Sequence, residues 1–256
     1  MRISVIQLDV DLAEPRADRV ARAAGLVREQ READLVLLPE LWPQGAFAYG
    51  DWADEAETPD GPTVSAIGAA AREIGSLVHA GSIIERAGGR LYNTSVLVGP
   101  DGSIRATYRK IHRFGFSEGE AELLSPGDEV VTHETSFGVL GFATCYDLRF
   151  PEMFRKLLDR GAEILLVPAA WPARRIAHWR LFARARAVEN QMFVVAGNTT
   201  GFQREVLLGG HSVVVDPWGD AVAEAGAGEE VLTADLDTAL VAKTRESFPV
   251  LPDRRL

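Results

Sequence analysis

Short apolar runs alternate along the chain with longer segments whose apolar residues recur at helical spacing. Ile3–Val10 and Leu35–Leu38 are runs of strand length, and the segment between them, Glu14–Arg31, carries apolar side chains three and four residues apart. Helical spacing gathers apolar residues on one face of a helix, whereas a short run rich in Val, Ile and Leu is typical of a buried strand. The start of the chain therefore predicts a β-α-β unit.

The same alternation continues through the rest of the chain. It predicts the helices Pro62–Gly75, Pro151–Arg160 and Ile176–Asn190, and the strands Val78–Glu85, Leu91–Val98, Ser103–Tyr108, Glu163–Val167, Met192–Ala196, Ser212–Val215 and Val231–Asp235. Gly-containing turns, Gly88-Gly89 and Pro100-Asp101-Gly102, separate the first three of these strands and favour antiparallel neighbours. Neither a linker nor an internal repeat interrupts the pattern. The expected architecture is a single domain, residues 1–256, of mixed sheets covered by helices.

Composition narrows the class of protein. Of the 256 residues, 46% are apolar and 25% are charged, as in an ordinary globular protein. The net charge of -10 and the pI near 5.1 disfavour nucleic acid and anionic lipid as partners, because both are bound by clustered Lys and Arg. No uncharged stretch reaches the roughly 18 apolar residues of a membrane helix, so no membrane association is expected. Asp9 interrupts the first apolar run too early for a secretory segment, and the cytoplasm is the expected location.

The only cysteine, Cys145, stands where an apolar run changes into a helical pattern. Phe137–Thr144 is the run, and Pro151 is well suited to the first turn of the helix that follows. This order predicts a strand, a sharp turn and a helix, with the thiol at the carboxyl end of a sheet, where open α/β folds bind their ligands. A lone cysteine is more often a small buried apolar residue than a nucleophile, so its partners must decide its role.

Two charged residues at other strand ends are candidate partners. Glu40 directly follows the predicted strand Leu35–Leu38, in a Pro- and Trp-rich setting where poor hydration would raise its pKa toward that of a general base. Lys110 follows the strand Ser103–Tyr108, and because neighbours in an extended chain alternate faces, either Lys110 or Arg109 points into a site, but not both. An ammonium beside a thiol favours the thiolate and stabilises oxyanion charge. A solvated acid and a solvated basic cluster are the alternative interpretations.

Three sequence blocks carry a resemblance to a known family. Leu38-Pro39-Glu40, Tyr108-Arg109-Lys110-Ile111-His112 and Cys145–Glu152 resemble, in order and separation, the motifs of the nitrilase superfamily of carbon-nitrogen hydrolases. Further similar stretches are Pro126-Gly127-Asp128, Ala183–Asn190, Gly210-His211-Ser212 and Asp216-Pro217-Trp218-Gly219. The resemblance implies an αββα sandwich of two mixed β-sheets flanked by helices. It also implies a Glu-Lys-Cys triad, Glu40, Lys110 and Cys145, that needs neither a metal nor an organic cofactor.

The resemblance also assigns supporting roles. Glu120 matches the second glutamate that family members place before the Pro-Gly-Asp block to hold the lysine, and Glu118 and Glu122 lie close enough to be alternatives. The backbone N–H of Tyr146 would share the oxyanion with Lys110. The implied reaction is acyl transfer through a thioester, with release of ammonia or an amine.

The substrate is predicted less sharply. The block that begins at Cys145 is more similar to amidases, particularly ω-amidase-like proteins acting on monoamides of dicarboxylic acids, than to true nitrilases, whereas His112–Phe116 lacks an acid common in those proteins. An N-carbamoyl amide hydrolase and a nitrilase are the alternatives within the fold. Arg149 is a candidate for binding a substrate carboxylate or for a structural ion pair at the turn. Trp171 follows another predicted strand and is expected to line the pocket or to pack beneath it.

Two other classes of protein remain open. In a Cys-His hydrolase, His112, His178 or His211 would activate the thiol. In a non-enzymatic module, the fold would serve partner binding or redox sensing. The five histidines show no paired spacing of metal ligands, so a zinc site is not expected. By resemblance, copies of the chain are expected to form a homodimer or a larger homo-oligomer through the helices Pro151–Arg160 and Ile176–Asn190 and the C-terminal segment.

Overall fold

Two six-stranded sheets pack face to face between layers of helices. The computed structural model describes residues 1–255. The strands of this part of the chain are β1 (Arg2–Gln7), β2 (Leu35–Leu37), β3 (Leu77–Ala87), β4 (Arg90–Val98), β5 (Ile104–Arg109), β6 (Thr132–Thr135), β7 (Gly138–Phe142), β8 (Ile164–Ala169), β9 (Phe193–Asn198), β10 (Thr200–Gln203), β11 (Val206–Gly209), β12 (Val213–Val215), β13 (Ala221–Glu224) and β14 (Glu230–Asp235). The helices are α1 (Arg16–Arg28), α2 (Trp52–Glu55), α3 (Pro62–Ile74), α4 (Glu120–Leu123), α5 (Pro151–Asp159), α6 (Ile176–Asn190) and α7 (Ala239–Ser247), with 3-10 turns at Cys145–Arg149, Ala173–Arg175 and Leu251–Asp253.

Both sheets are mixed and share a similar plan. The first has the strand order β14-β1-β2-β3-β4-β5, in which β1, β2 and β3 run parallel and the other neighbours antiparallel. The second has the order β13-β12-β9-β8-β7-β6, with β7, β8 and β9 parallel. Strands β10 and β11 form a separate hairpin. In each sheet the parallel strands therefore lie in the middle, where both faces are covered.

The alternation of side chains along the central strands explains the layers. In β2, Leu35 and Leu37 belong to the core that includes the second sheet, whereas the intervening Val36 packs with the apolar residues of α1 and α3. On the other side, Phe154 of α5 and Trp179 of α6 are fully buried against the second sheet. Successive strand residues point to opposite faces, so one strand serves both contacts. This arrangement confirms the αββα sandwich.

The predicted elements are all present; α6 has the predicted ends, and most of the others are shifted by a few residues. The helix predicted at Glu14–Arg31 begins only at Arg16, after Pro15, which fits the restriction that proline places on the residue before it. The antiparallel pairing predicted through the two Gly-containing turns is confirmed. Strands β6, β10, β11 and β13, the short helices α2 and α4 and the C-terminal helix α7 were not predicted. None of the helices within residues 1–255 is long and apolar enough to cross a membrane.

Candidate active site

The ends of strands from both sheets meet around one cavity. Glu40 follows β2 and Lys110 follows β5 in the first sheet, while Cys145 follows β7 in the second sheet. All three line the same cavity, together with Glu120 of α4. Each is buried, with exposed fractions of 3% for Glu40, 2% for Lys110, 8% for Cys145 and 5% for Glu120. The four residues that were predicted to be catalytic thus lie together.

Lys110 lies between two carboxylates. Its Nζ is 2.7 Å from Oε1 of Glu40 and 2.7 Å from Oε2 of Glu120. Burial alone would lower the pKa of Lys110, but the charges of Glu120 and Glu40 outweigh it and hold this pKa well above its usual range. Burial and the charge of Glu40 raise the pKa of Glu120, against the opposing effect of Lys110. The neighbouring Arg109 instead pairs with Glu85 on the more exposed side of the strand, as the alternation of faces predicts.

Asn93 of β4 joins the two carboxylates, and the sequence analysis did not single it out. Its Nδ2 donates to Oε1 of Glu40 at 2.8 Å and to Oε1 of Glu120 at 2.6 Å. Its backbone carbonyl also accepts a hydrogen bond from the Lys110 N–H at 2.8 Å. Asn is depleted in strands, so an Asn inside the apolar run Leu91–Val98 was the available signal.

The segment after Glu40 is held by contacts from distant parts of the chain. Oε2 of Glu40 accepts a hydrogen bond from the Ala170 N–H at 2.9 Å. Leu41 has a positive φ of 46°, and its N–H donates to Oγ of Ser82 at 3.0 Å. The buried guanidinium of Arg19 in α1 donates to the carbonyls of Trp42 and Pro43 at 3.3 and 3.0 Å. These contacts fix where the Glu40 carboxylate lies.

Cys145 occupies the sharp turn that the sequence predicts. Its φ is 46°, in the left-handed region that non-glycine residues rarely adopt. Burial and the negative charge of Glu40 raise the pKa of Cys145 well above its usual range. Lys110 acts in the opposite direction, but its effect is smaller. The prediction that a nearby ammonium favours the thiolate is right in direction, but burial and Glu40 outweigh it, and the resting group is a thiol.

Asp147 ties this turn to the strand end that carries Lys110. Its Oδ2 accepts hydrogen bonds from the Tyr108 hydroxyl at 2.7 Å and the Thr144 N–H at 2.8 Å. Its Oδ1 lies 3.0 Å from the His112 N–H and 2.7 Å from Nδ1 of the same residue. Asp147 is fully buried, so these donors supply the hydrogen bonds that its carboxylate needs.

The three residues predicted to contact substrate all line the cavity. Tyr146, Arg149 and Trp171 form part of its wall. The Arg149 guanidinium lies 4.9 Å from the centre of the Trp171 ring and 5.2 Å from that of Phe182. Within residues 1–255 it forms no ion pair with an acid, so the alternative of a structural ion pair at the turn is wrong for the described chain.

A second arginine, Arg175, lines the cavity and was not predicted. It stands at the end of the 3-10 turn after Trp171, with its guanidinium 5.4 Å from the centre of the Phe114 ring. Burial and the charges of Arg174 and Arg149 lower its pKa. Like Arg149, it has no acidic partner in the part of the chain that the structure describes, so two uncompensated guanidinium groups face the cavity.

The histidines considered as partners of Cys145 lie elsewhere. His112 contacts Asp147 and stacks on Phe150 at 3.8 Å between ring centres. His178 lies on the exposed face of α6, and Nδ1 of His211 contacts the Ala225 carbonyl. None of them is among the residues lining the cavity, so the described chain offers no histidine to activate the thiol. Residues 1–255 also contain no group of three His, Cys, Asp or Glu side chains that could hold a metal ion.

This fold and this cluster of Cys, Glu and Lys define a class of enzyme, the hydrolases of carbon-nitrogen bonds. Residues 2–246 match the model of the family described as carbon-nitrogen hydrolase, and the chain belongs to this family. It is a hydrolase of carbon-nitrogen bonds other than peptide bonds.

The chain is similar over almost its whole length to proteins with names and structures. A 2-oxoglutaramate amidase from Paenarthrobacter nicotinovorans is 45% identical over 99% of this chain and 89% of the relative. The omega-amidase NIT2 of Mus musculus is 36% identical over 99% of this chain and 95% of the relative. The crystal structure of Nit3 from Saccharomyces cerevisiae, a member of branch 10 of the nitrilase superfamily, superposes with a TM-score of 0.90 at 32% identity, covering 100% of this chain and 97% of the other.

Proposed function

We propose that the chain is a cysteine-dependent amidase that hydrolyses an ω-monoamide of a dicarboxylic acid to the dicarboxylate and ammonia. One observation carries this proposal: a buried thiol, carboxylate and ammonium share a cavity with Arg149 and Arg175, whose charges no acid of the described chain compensates. The names of the two similar amidases agree with this choice of substrate.

Cys145 would act as the nucleophile and Glu40 as its base. Because the pKa of the thiol is raised, the proton must leave as the sulfur attacks. The Glu40 carboxylate lines the same cavity as the thiol and would take this proton. Sγ then bonds to the amide carbon, and the carbonyl oxygen gains the negative charge. Protonated Glu40 returns the proton to the leaving nitrogen, which departs as ammonia and leaves a thioester on Cys145.

Water would complete the cycle by the same groups. Glu40, a carboxylate again, takes a proton from water as the water attacks the thioester carbon, and the returning proton restores the thiol. In both half-reactions, the Lys110 ammonium and the N–H of Tyr146 would stabilise the oxyanion. Tyr146 is the second residue of its 3-10 turn, where helical N–H groups lack a partner within the helix.

Glu120 and Asn93 would position the two charged groups. Glu120 holds Lys110 from the side opposite Glu40, and Asn93 gives one N–H to each carboxylate. Glu118 is exposed and Glu122 does not line the cavity, so the geometry favours Glu120 for the role of the second glutamate.

Arg149 and Arg175 would bind the carboxylate at the far end of the substrate. A guanidinium presents paired N–H donors that match a carboxylate. Tyr146 and Trp171 form apolar walls around the aliphatic carbons between the two ends. A substrate without the second carboxylate would leave both charges uncompensated, so a neutral amide should react more slowly.

The test combines intact-protein mass spectrometry with ammonia release. The panel contains succinamate, its neutral diamide succinamide, an N-carbamoyl amino acid and an aliphatic nitrile. We expect succinamate to release ammonia fastest and to leave a succinyl adduct on the protein, lost in Cys145→Ala. Lys110→Ala should raise the activation barrier by about 3 kcal/mol and so reduce kcat/KM roughly a hundredfold or more, as removal of an oxyanion donor does. The proposal fails if Glu40→Gln leaves acylation intact, or if the carbamoyl compound or the nitrile is the preferred substrate.

We further propose that copies of the chain associate and work in the cytoplasm. Leu181 and Val188 of α6 are 62% and 49% exposed, and Trp218 and Phe248 near its end are 49% and 54% exposed. Leu181, Val188 and Phe248 lie on the helix and the C-terminal segment that the resemblance assigns to subunit contacts, and Trp218 stacks on Phe248 from the turn between β12 and β13. A reducing compartment would keep the Cys145 thiol free for catalysis. Light scattering of the purified protein measures the assembly.

A further inference from the structure

A wider depression opens outward from the active-site cavity, and we call it the vestibule. Six residues line both spaces, so the vestibule is the approach to Cys145; they are Phe47, Tyr49, Phe114, Tyr146, Arg149 and Arg175. Its outer part is formed by residues 115–118, by Arg174, and by the tip of the β10–β11 hairpin, residues 204–206. A small molecule that enters the cavity by this route passes the outer part first.

The vestibule is positively charged although the chain is acidic. Four arginines and two glutamates line it, a net charge of +2 on a chain whose net charge is -10. The arginines are Arg149, Arg174, Arg175 and Arg204, and none of them forms an ion pair within residues 1–255. Elsewhere most of the buried or half-buried arginines have a carboxylate or carbonyl partner. Arg149 contacts Nδ1 of His178 at 3.4 Å, but no carboxylate of residues 1–255 neutralises any of the four, so the cluster can attract an anion from outside.

Arg204 occupies a turn position that is unusual for an arginine. Gln203 pairs with Val206, so Arg204 and Glu205 form a two-residue hairpin turn, and Arg204 has a φ of 53°. Glycine, asparagine and aspartate are preferred at such a position, and an arginine there is strained. The hairpin is fixed to the cavity wall because Oε1 of the buried Gln203 accepts a hydrogen bond from the Phe47 N–H at 3.2 Å. The turn thus holds an exposed cation over the entrance in an unfavourable backbone conformation.

We propose that the vestibule recruits anions, and that Arg174 and Arg204 draw small carboxylate-bearing amides toward Cys145 before Arg149 and Arg175 contact them. The identity of these anions as amide substrates rests on the proposed function. A cleft lined by one sign of charge focuses the electric field and raises the local concentration and association rate of the opposite charge. Arg174 and Arg204 line the vestibule but not the inner cavity, so their effect acts over a distance and salt should screen it.

Alkylation of the protein's only cysteine tests this without requiring turnover. Iodoacetate and iodoacetamide both alkylate a thiolate with loss of iodide, and only the first carries a negative charge. Both rate constants are measured from the intact mass of the protein at low ionic strength. Their ratio, iodoacetate over iodoacetamide, rises with the positive electrostatic potential along the approach to Cys145. In the double variant Arg174→Gln/Arg204→Asn, we expect the iodoacetate-to-iodoacetamide ratio to fall roughly fivefold, and high salt to remove the difference from the wild type. Asn tolerates the left-handed conformation of residue 204.

A matched control removes two other arginines. Arg31 and Arg90 are exposed and line neither the vestibule nor the cavity, so Arg31→Gln/Arg90→Gln changes the net charge equally and should leave the ratio unaltered. An unchanged ratio in the vestibule variant overturns the proposal, as does an equal fall in the control or a fall that salt does not remove. If the double variant does not fold, Arg174→Gln alone, at an exposed position, should show about half of the effect on a logarithmic scale.

Hydrolysis separates this proposal from the proposed function. In the vestibule variant, kcat/KM for succinamate should fall severalfold relative to that for the neutral succinamide, again only at low salt. If the wild-type enzyme hydrolyses neither amide while the alkylation ratio behaves as expected, the substrate assignment is wrong and the vestibule stands. If both amides are hydrolysed and the alkylation ratio does not respond, the vestibule proposal is wrong and the amidase stands.

Discussion

Asp147→Asn tests whether the buried carboxylate beside the nucleophile holds the site together. The substitution keeps the size of the side chain but replaces one acceptor oxygen with an NH2 donor. In the wild type, four donor contacts converge on the two oxygens, from Tyr108, Thr144 and twice from His112. The asparagine oxygen can serve one pair of donors, and its NH2 group then faces the other pair.

The expected loss of stability follows from counting these contacts. If the asparagine oxygen keeps Tyr108 and Thr144, the His112 N–H loses its acceptor, while the His112 ring can change tautomer and accept from the new NH2. Hydrogen bonds to charged groups contribute about 1.5 to 3 kcal/mol, and an orphaned buried donor costs about as much again. We expect a loss of about 3 kcal/mol, which lowers Tm by roughly 6 to 12 °C in a domain of this size.

The change should also affect Cys145 out of proportion to stability. Asp147 connects the turn of Cys145, through Thr144, to the strand end of Lys110, through Tyr108 and His112, so its loss lets the sulfur shift against Lys110 and Glu40. A shift of about 1 Å can cost roughly a hundredfold in rate. Urea denaturation gives the stability, and the acylation rate with succinamate gives the reactivity, at a temperature where the variant is fully folded.

The exposed Asp54 offers the matched control. Asp54→Asn makes the same chemical change at the surface and should alter neither quantity by more than about 0.5 kcal/mol. The reasoning is refuted if Asp147→Asn is as stable as this control, or if it is destabilised but acylates at the wild-type rate once folded.

Three further predictions concern buried groups near the site. Because the pKa of Cys145 is raised above the ordinary 9.0, its alkylation rate by iodoacetamide should still be rising beyond pH 9, and a plateau below that pH would contradict the assignment of a neutral resting thiol. Burial lowers the pKa of His79 from 6.5 to about 3, so the unfolded chain binds a proton that the folded chain does not. The free energy of unfolding is therefore unaffected by His79 above about pH 6.5 and falls as the pH is lowered toward 3, by at most about 1.4 kcal/mol per pH unit. His79→Gln should reduce this dependence of the free energy of unfolding on pH, measured by urea denaturation at several pH values. At Gly81, with φ 70°, an added Cβ would lie 1.9 Å from the Pro39 carbonyl oxygen, so Gly81→Ala should lower the free energy of unfolding by about 3 kcal/mol and displace Glu40. Gly75 also has φ 70° but has open space around it, so Gly75→Ala should lower the free energy of unfolding by only about 1 kcal/mol. Thermal unfolding measures both values.

The three residues of the predicted triad are delivered by strand ends. Glu40, Lys110 and Cys145 each follow a short apolar run, and a buried strand that stops at a charged or reactive residue indicates both the position and the chemistry of that residue. The central strands of both sheets are parallel, which places several of their carboxyl ends at one edge. The alternation of apolar runs with helical spacing likewise predicted mixed sheets covered by helices, whereas the sandwich of two sheets followed from the family resemblance.

The hairpin over the entrance could not be predicted from turn chemistry. Two-residue hairpin turns are recognised by glycine or asparagine at positive φ, and this one contains Arg204 and Glu205. Its strands are four residues each and carry exposed Phe202 and Leu207, so they lack the alternation of a half-buried strand. The conformation is therefore imposed by tertiary contacts such as that of Gln203 with Phe47.

Two residues of the site, Asn93 and Arg175, were not predicted because their roles depend on residues far away in the sequence. Asn93 lies 53 residues from Glu40 and 27 from Glu120 along the chain, yet one amide nitrogen contacts both. Arg175 appears in the sequence as one of several surface arginines, and only the folded chain shows that it faces a cavity without an acid beside it. The absence of an acidic partner in the folded chain cannot be recognised from the neighbouring residues in the sequence. Arg149 could be predicted because it follows Cys145 by four residues, but Arg175 could not, because it differs from an ordinary surface arginine only in its lack of an acidic partner.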